Sequence, residues 1–350
     1  MVELVLPVAG DVAAAAGRIA PYVRRTPVYP TVVDGRPVTF KLEHLQLTGS
    51  FKVRGALNAL LGGGLGGAVV TASGGNHGIG VATAAARLGT RATIYVPETV
   101  PPDKAARIAA TGAEVVRHGS RYAEAEAAAR AFAETQGLRY LPAYDDPEVV
   151  AGQGTIALEI ATQAPECDTV GVAVGGGGLI SGIALASAPG TTIVGVEPEN
   201  CACLHAAIAA GEPVDSPVDS IAASALGATR LGRIPHAILR DANLHLALVE
   251  DKRILAARDR LWDEFRLAVE PAAAAPFAAW LAGEVPGDHP CLVLCGANAP
   301  GPPPDRRPGD GRSWTAEGDA AGKHPKKTLR CAPRFPGDPA QRSGPPRTSR

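Results

Sequence analysis

The sequence lacks the features that mark nucleic-acid-binding, membrane and secreted proteins. Its 350 residues carry a formal net charge of −1, so it has no basic excess for a nucleic acid or an anionic membrane. No uninterrupted apolar run is long enough to span a bilayer, and Glu3 stands where a signal peptide would carry positive charge. Six cysteines lie at irregular positions, which does not suggest a disulfide framework. These absences predict a cytoplasmic protein without a membrane or nucleic-acid partner.

The chain has instead a regular alternation of strand-like and helix-like runs as far as residue 298. Strand-like runs are predicted at 38–42, 68–71, 92–96, 114–116, 169–174, 192–196, 244–249 and 291–295. Helix-like runs are predicted at 53–61, 79–88, 103–111, 122–134, 179–188 and 253–265. This rhythm is typical of parallel sheets covered by helices on both faces, so the predicted fold class is α/β. Ligands of such sheets bind beyond the carboxyl ends of the strands.

One lysine has an unusual position. Lys52 follows a polar turn, T-G-S-F at residues 48–51, and opens the helix-like run at 53–61. A lysine there can lie at the mouth of a pocket, where burial and nearby positive charge lower its pKa and free the amine as a nucleophile. Taken alone, Lys52 is more simply a solvated residue of a first helical turn. Three further segments favour the nucleophile.

Each of these segments is a turn of small residues beside a strand-like run. In T-A-S-G-G-N-H-G at 71–78, backbone N–H groups at a helix start, with Ser73 and Asn76 beside them, predict an anion pocket of carboxylate size. Four successive glycines at 175–178 let the chain approach a phosphate closely and direct several N–H donors at it. The third turn, C-G-A-N at 295–298, ends an apolar strand. Each motif alone is weak evidence, but the four together, in this order, are strong evidence.

The chain resembles the serine/threonine dehydratase and serine racemase family of pyridoxal-phosphate enzymes. The match runs from about residue 20 to residue 298 and includes T-G-S-F-K-V-R-G-A, S-G-G-N-H-G, A-G-Q-G-T-I-A-L-E at 151–159, the four glycines and C-G-A-N. His77 stands where the sulfur-transferring enzymes of this fold have threonine, which favours the dehydratase branch. The resemblance implies the tryptophan-synthase-β-like fold (fold type II), with two three-layer αβα domains and the cofactor between them.

The resemblance also implies a role for each matched residue toward pyridoxal 5'-phosphate. Lys52 would form the Schiff base and later remove the substrate α-proton. The other residues implied to bind the cofactor are Phe51 against the ring, Asn76 at the 3-hydroxyl, Gly175, Gly176, Gly177, Gly178 and Leu179 at the phosphate, and Cys295 at the pyridine nitrogen. The residues implied to hold the substrate carboxylate are Ser73, Gly75, Asn76 and His77.

Ordinary structural roles stay open for some of these residues. Cys295 could simply be a small buried residue at the end of a strand. His77 could be a residue at a helix start whose ring is hydrogen-bonded within the protein. Ser73 could be a helix N-cap. Glu270 matches a family acidic residue near the cofactor, and it also suits the first turn of a helix begun by Pro271.

The reaction implied by the resemblance is β-elimination from L-threonine and/or L-serine to a 2-keto acid and ammonia, by an ammonia-lyase of type EC 4.3.1. A neutral Cys295 thiol would not hold the pyridine nitrogen protonated, which favours prompt loss of the β-hydroxyl. Serine racemases of this family carry a serine two residues before the loop asparagine, where this sequence has Gly74. We therefore expect elimination without efficient racemisation. Relatives are usually dimers, so a homodimer is expected.

Two departures from the family leave alternatives open. Glu197 and Cys201 match two ligands of the divalent-cation site of some members, but Cys203 replaces the aspartate. Hard cations require oxygen ligands, so no metal site is predicted. The family segment T-I-A-D-G reads S-I-A-A-S at 220–224. The alternatives are a catalytically impaired relative that still binds the cofactor, and a dehydratase of a bulkier 3-hydroxy amino acid such as 3-phenylserine or 3-hydroxyaspartate.

The domain boundaries also follow from the resemblance. A large cofactor-binding domain is expected from residues 1–67 and 146–299, and a small mobile domain from residues 68–145. Residues 300–350 are rich in Pro, Gly, Arg and Asp and have almost no aliphatic side chains. Such a composition cannot bury enough apolar area to order itself. We expect a disordered or aberrant tail, because relatives continue after the C-G-x-N turn with an ordinary helix.

Overall fold

The computed structural model describes residues 4–63 and 67–298. These residues belong to one compact unit. Within them, no helix is long and apolar enough to cross a membrane. The predicted tail at 300–350 lies outside the described residues.

Strands and helices alternate along the described chain, which confirms the predicted α/β class. The strands are β1 (Val28–Val33), β2 (Arg36–Lys41), β3 (Val69–Ala72), β4 (Ala92–Val96), β5 (Glu114–Arg117), β6 (Arg139–Tyr140), β7 (Thr169–Ala173), β8 (Thr192–Pro198), β9 (Leu244–Val249) and β10 (Pro290–Val293). The helices are α1 (Ala9–Ile19), α2 (Lys52–Gly62), α3 (Asn76–Arg87), α4 (Pro102–Ala109), α5 (Tyr122–Gln136), α6 (Pro147–Gln163), α7 (Gly178–Ala186), α8 (Cys203–Ala210), α9 (Ala223–Leu226), α10 (Arg233–Leu239), α11 (Asp251–Phe265) and α12 (Pro271–Leu281).

The larger sheet places two candidate motifs at one edge. Its six strands have the order β1-β2-β10-β7-β8-β9, and all neighbours are parallel except β1 and β2. The four-glycine turn follows β7 and the C-G-A-N turn follows its neighbour β10. Because the two strands are parallel, their carboxyl ends meet at the same edge of the sheet.

The smaller sheet carries helices on both faces, as alternating side chains predict. Its order is β5-β4-β3-β6, and all its strands are parallel. Val69 and Ile94 join the apolar cluster that includes residues of α2 and α3. The next residues, Val70 and Tyr95, point the other way and pack with alanines of α5. Successive strand residues face opposite sides, so each face has its own core.

The hairpin of β1 and β2 shows where sequence reasoning fell short. The predicted strand at 38–42 corresponds to β2, but β1 was not predicted. Proline is rare in strands, and Pro30 is tolerated in β1 because this strand lies at the sheet edge. The predicted division into a large and a small mobile domain stays a prediction.

A buried ionic cluster fixes α2, the helix that begins at Lys52. Arg54 donates to both oxygens of Glu43, at 2.9 and 2.8 Å, and to Glu159 at 2.7 Å. Lys41 Nζ lies 2.6 Å from the other Glu159 oxygen. Glu43, Arg54 and Lys41 are all 0% exposed. Two cations therefore neutralise two carboxylates, and the first turn of α2 is anchored to Glu43, which follows β2, and to Glu159 of α6.

Candidate active site

The turn before Lys52 is joined to the end of β10. Phe51 N–H donates to the Cys295 carbonyl at 3.2 Å, and Ser50 forms an antiparallel bridge with Gly296. Thr48 and Gly49 have φ values of 69° and 75°, so the chain reverses through left-handed conformations. A Cβ at Gly49 would lie 2.8 Å from Asn298 Oδ1. Glycine is therefore required for this close approach, and the turn places Lys52 beside the C-G-A-N motif.

The Lys52 amine is partly buried and held by a backbone carbonyl. Its Nζ donates to the Ala143 oxygen at 2.9 Å and lies 5.2 Å from the centre of the Phe51 ring. Burial lowers the pKa of Lys52 to about 8, against the opposing effect of the nearby Glu270 carboxylate. A larger fraction of this amine is neutral near pH 7 than for an ordinary lysine. The neutral amine can attack an aldehyde.

The lowered pKa of Lys52 predicts the pH dependence of cofactor loading. The protonated amine cannot add to the aldehyde of pyridoxal phosphate, and its neutral fraction rises with pH through a pKa of about 8. We expect the loading rate of the apoprotein to rise with pH with a midpoint near 8, measured by absorbance after rapid mixing. Nα-acetyl-lysine in the same buffers is the control, with a midpoint near the ordinary lysine pKa of about 10.4. Equal midpoints for protein and control would contradict the prediction.

The four-glycine turn lines the cavity, and its carbonyls already have donors while its N–H groups are free. The Gly175 carbonyl accepts from Cys203 Sγ at 3.1 Å and the Gly176 carbonyl from Gly232 N–H at 3.1 Å. The Gly177 carbonyl accepts from both the N–H and the hydroxyl of Ser181. No described residue accepts from the N–H groups of residues 175–179. The start of α7 therefore offers free donors to an anion.

Tyr144 packs against this turn, and sequence reasoning did not single it out. A Cβ at Gly176 would overlap the Tyr144 ring, and one at Gly178 would lie 3.0 Å from Tyr144 Cα and Cβ. The only local signal was an aromatic residue before D-D-P in a loop, which is too common to identify a site.

The close contact between Gly176 and Tyr144 predicts how an added methyl group at Gly176 changes cofactor binding and stability. We expect Gly176→Ala to weaken cofactor binding at least tenfold and to lower the free energy of unfolding by about 1–3 kcal/mol, because the Tyr144 ring must move. Fluorescence titration and urea denaturation measure the two effects. The control is Gly17→Ala in α1, where a Cβ would meet no atom within 4 Å. That change should stabilise the protein by about 0.5–1 kcal/mol. Unchanged cofactor affinity in Gly176→Ala would contradict the prediction.

A hydrogen-bond network connects Asn76 to the C-G-A-N turn. Asn76 Nδ2 donates to Glu270 Oε1 at 2.7 Å, and Asn76 Oδ1 accepts from Asn298 Nδ2 at 2.8 Å. Asn298 N–H donates to the other Glu270 oxygen at 3.1 Å. Burial raises the pKa of Glu270. These contacts fix the orientation of the Asn76 amide at the first residue of α3.

Cys295 is buried at the end of the same turn. Burial, and after it the Glu270 carboxylate, raises the pKa of the Cys295 thiol well above its usual range. The thiol therefore stays protonated and neutral at physiological pH. A neutral thiol is the state that the family resemblance implied.

One cavity brings most of the predicted residues together. The predicted residues that line it are Phe51, Lys52, Asn76, Gly175, Gly176, Gly177, Gly178, Leu179 and Cys295, and Glu270 and Tyr144 also contribute. The cavity lining does not include Ser73, Gly75 or His77. They flank Asn76 in the chain. Their roles toward a substrate stay predictions.

The side chains of Ser73 and His77 already have protein partners. Ser73 Oγ accepts from Gly75 N–H at 3.2 Å, so Ser73 is not the N-cap of α3. His77 Nε2 lies 3.1 Å from the Leu141 carbonyl. Burial, followed by the charge of Lys52, lowers the pKa of His77 to about 3. The ring is therefore neutral.

The residues that match the family cation site have other partners. The Glu197 carboxylate accepts from Leu204 N–H at 2.8 Å and from His205 N–H at 2.9 Å, at the start of α8. Cys203 Sγ donates to Gly175, as described above. Within residues 4–63 and 67–298, no group of three His, Cys, Asp or Glu side chains is arranged to hold a metal ion.

The cavity fits pyridoxal phosphate by its donor set. The free N–H groups of the glycine turn suit a phosphate, and the lowered pKa of Lys52 suits an aldehyde. The neutral Cys295 thiol can face a ring nitrogen without protonating it.

Comparisons with known sequences agree with this fit. The family model described as "Pyridoxal-phosphate dependent enzyme" matches residues 19–296. L-threonine ammonia-lyase of Geobacter sulfurreducens is 40% identical over 273 residues, which are 75% of this chain and 68% of that protein. L-threonine dehydratase biosynthetic IlvA of Salmonella typhimurium is 36% identical over 276 residues, which are 75% of this chain and only 53% of that protein. L-threo-3-hydroxyaspartate ammonia-lyase of Saccharomyces cerevisiae is 34% identical, over 84% of this chain and 94% of that protein.

Solved structures of pyridoxal-phosphate enzymes are also similar to this chain. Threonine deaminase of T.th. superposes with a TM-score of 0.79 at 37% identity, over 84% of this chain and 99% of that one. Maize serine racemase superposes with a TM-score of 0.80 at 30% identity, over 84% of this chain and 94% of that one. The fold is therefore fold type II. With the family match over most of its length, this chain belongs to the family of pyridoxal-phosphate dependent enzymes.

Proposed function

We propose that the protein is an ammonia-lyase of type EC 4.3.1 that converts L-threonine and/or L-serine to a 2-keto acid and ammonia. The observation that carries the proposal is one cavity that holds both the low-pKa amine of Lys52 and the free N–H groups of the glycine turn. The relatives named threonine ammonia-lyase and threonine deaminase support the choice of reaction.

Each residue or segment of the cavity would have a separate role in this reaction. Pyridoxal phosphate, when bound, supplies an electron sink for the negative charge at the substrate Cα. Lys52 would hold the cofactor covalently, and its released amine would take the α-proton at Nζ. The glycine turn would bind the phosphate through its N–H groups. The loop with Ser73, Gly75, Asn76 and His77 would orient the substrate carboxylate.

Cys295 and Asn76 would control the two polar positions of the cofactor ring. The Cys295 thiol keeps its proton, so it would leave the ring nitrogen without a full positive charge. Asn76 uses one amide hydrogen for Glu270 and retains another for the 3-hydroxyl oxygen. Its orientation is held by Asn298.

A keto-acid assay tests the proposed function. Purified protein is incubated with pyridoxal phosphate and, in separate reactions, L-threonine, L-serine, 3-hydroxyaspartate and 3-phenylserine, and the keto acid and ammonia are quantified. We expect the highest kcat/KM for L-threonine or L-serine. A cofactor absorbance band without a keto acid from any substrate would favour the impaired relative. The yeast hydroxyaspartate ammonia-lyase, which this chain covers almost completely, makes 3-hydroxyaspartate the second candidate.

Gly74 predicts that elimination proceeds without efficient racemisation. Racemisation needs a proton-transferring group on both faces of Cα, and Gly74 has no side chain where serine racemases carry serine. A Cβ at this position would lie 2.5 Å from Val100 Cγ2, so the local packing also opposes a larger residue. We expect pyruvate from L-serine with little D-serine, measured by chiral chromatography. A D-serine yield that rivals pyruvate would contradict the prediction.

The proposal includes a cytoplasmic homodimer with a mobile small domain at residues 68–145. The strands of the smaller sheet all come from this segment, which supports its treatment as a domain. The dimer and the location rest on the family resemblance. Light scattering after gel filtration tests the dimer.

A further inference from the structure

A second cavity lies next to the cofactor cavity and shares a lining residue with it. One wall of this outer cavity is formed by Tyr122, Glu126, Arg130 and Tyr140, and the other by residues 230–233. Tyr144 lines both cavities. Ala143, which accepts a hydrogen bond from Lys52 Nζ, also lines the outer cavity. The outer cavity therefore begins at the residue that holds the reactive amine.

The Tyr144 side chain lies where the two cavities meet. One end of the side chain is seated on the glycine turn, where a Cβ at Gly176 would overlap the ring. At the other end, the Tyr144 hydroxyl donates to the Arg230 carbonyl at 3.4 Å. The ring thus reaches from the phosphate-binding turn to the opposite wall of the outer cavity. Tyr144 is the side chain that the linings of the two cavities share.

The first wall of the outer cavity is aromatic and its charges are paired. The Arg130 guanidinium lies 4.1 Å from the centre of the Tyr140 ring and 2.8 Å from Glu126. The Tyr140 hydroxyl donates to Glu126 at 3.3 Å. Burial raises the pKa of Tyr140, and the pKa of the half-exposed Tyr122 is raised as well, so both phenols stay neutral. Neutral aromatic rings suit an aryl group, whereas a carboxylate would meet Glu126.

The opposite wall does not supply a strong anion site. Arg230 is paired with Asp215 at 2.7 Å, and Asp145 is held by the N–H of Ile234 at 2.8 Å. Arg233 remains as an exposed cation at the rim. A substrate with a second carboxylate is therefore the competing occupant, and it forms one arm of the test.

We propose that Tyr144 sets the size of the substrate side chain, and that the outer cavity is a subsite for an aryl group that becomes available when this ring is shortened. The proposal rests on the proposed function. With Tyr144 in place, the β-substituent is limited to a group of the size found in threonine. In a shortened variant, 3-phenylserine loses its α-proton and β-hydroxyl as water. Hydrolysis of the resulting enamine consumes water, so the net products are phenylpyruvate and ammonia, without oxidation or reduction.

The first test measures binding without turnover. L-phenylalanine and L-2-aminobutyrate have no β-hydroxyl and cannot undergo the elimination, so their dissociation constants follow from the shift of cofactor absorbance in the holoenzyme. We expect Tyr144→Ala to improve binding of L-phenylalanine relative to L-2-aminobutyrate by at least about tenfold. Tyr144→Phe keeps the ring and should change this ratio by less than about twofold. Tyr144→Leu is made in parallel, so that a folding defect in one variant leaves a second truncation to be measured.

The outcomes separate the subsite from the proposed function. If both truncated variants bind the cofactor and keep the wild-type ratio, the role of Tyr144 is overturned. A larger gain for L-aspartate than for L-phenylalanine would overturn the aryl assignment. If the ratio shifts as expected but no 3-hydroxy amino acid yields a keto acid, the subsite stands and the lyase function fails. Phenylpyruvate formation from 3-phenylserine, raised at least about tenfold against 2-oxobutanoate formation from L-threonine in Tyr144→Ala, would support both.

Discussion

Replacing Lys52 with alanine is expected to lower kcat/KM for L-threonine by at least about 10³-fold. A positioned general base alone contributes about 10²–10⁴-fold, and the variant also loses the covalent attachment of the cofactor. We assign both roles to the same amine because Lys52 lines the cavity and its pKa is lowered. Keto-acid formation at saturating pyridoxal phosphate measures the effect. Circular dichroism should show an unchanged fold.

The control for this experiment is an exposed lysine. Lys252 lies on α11, and its side chain is 77% exposed and paired with Glu250. Lys252→Ala should therefore leave kcat/KM unchanged. A Lys52→Ala protein that keeps more than about a tenth of wild-type activity would contradict the assigned base, since the expected loss is far larger.

Replacing Arg54 with leucine is expected to lower the free energy of unfolding by about 3–5 kcal/mol. The change leaves the fully buried Glu43 carboxylate without its cation and removes one of the two partners of Glu159. Removing one member of a buried ion pair has a cost of this size because the remaining charge is no longer compensated. Urea denaturation of the apoprotein measures the loss. The matched control is Arg121→Ala, which breaks an exposed pair with Glu124 and should cost about 0–1 kcal/mol.

The pH dependence of the Arg54 effect has a definite sign. Burial raises the pKa of Glu43, but the attraction and hydrogen bonds of Arg54 outweigh burial and lower it. Stability that arises from a lowered carboxylate pKa is fully present above the unfolded pKa and is lost as the pH falls through the folded pKa. The difference in the free energy of unfolding between wild type and Arg54→Leu should therefore become smaller at acidic pH. A loss below about 1 kcal/mol at neutral pH would show that the cluster does not anchor α2.

The sequence predicted most strands well because their hydrophobic runs are short and end at glycine, proline or polar residues. β4 and β9 have the predicted bounds, and most other predicted elements differ by one to three residues at their ends. β1 was missed because proline is depleted in strands and its edge position was not visible in the sequence. β6 has two residues, too few for a periodic pattern.

The candidate site was predictable where a local motif carries the chemistry. The four-glycine turn and Lys52 were indicated by the four motifs taken together, and the role of Cys295 was implied by the family resemblance. The structure places all of them at one cavity. Tyr144 and the Arg54 cluster could not be predicted, because their importance depends on contacts between segments distant in the sequence. The Asn76–Glu270–Asn298 network joins residues up to 222 positions apart. Such pairings depend on the topology of the sheets.

Reduction with borohydride in the presence of pyridoxal phosphate, followed by peptide mass spectrometry, tests the central claim most directly. We predict a pyridoxyl group on the side chain of Lys52, with Lys41, Lys104 and Lys252 unmodified at stoichiometric cofactor. A protein that binds the cofactor but carries the adduct on another lysine, or on none, would contradict the account.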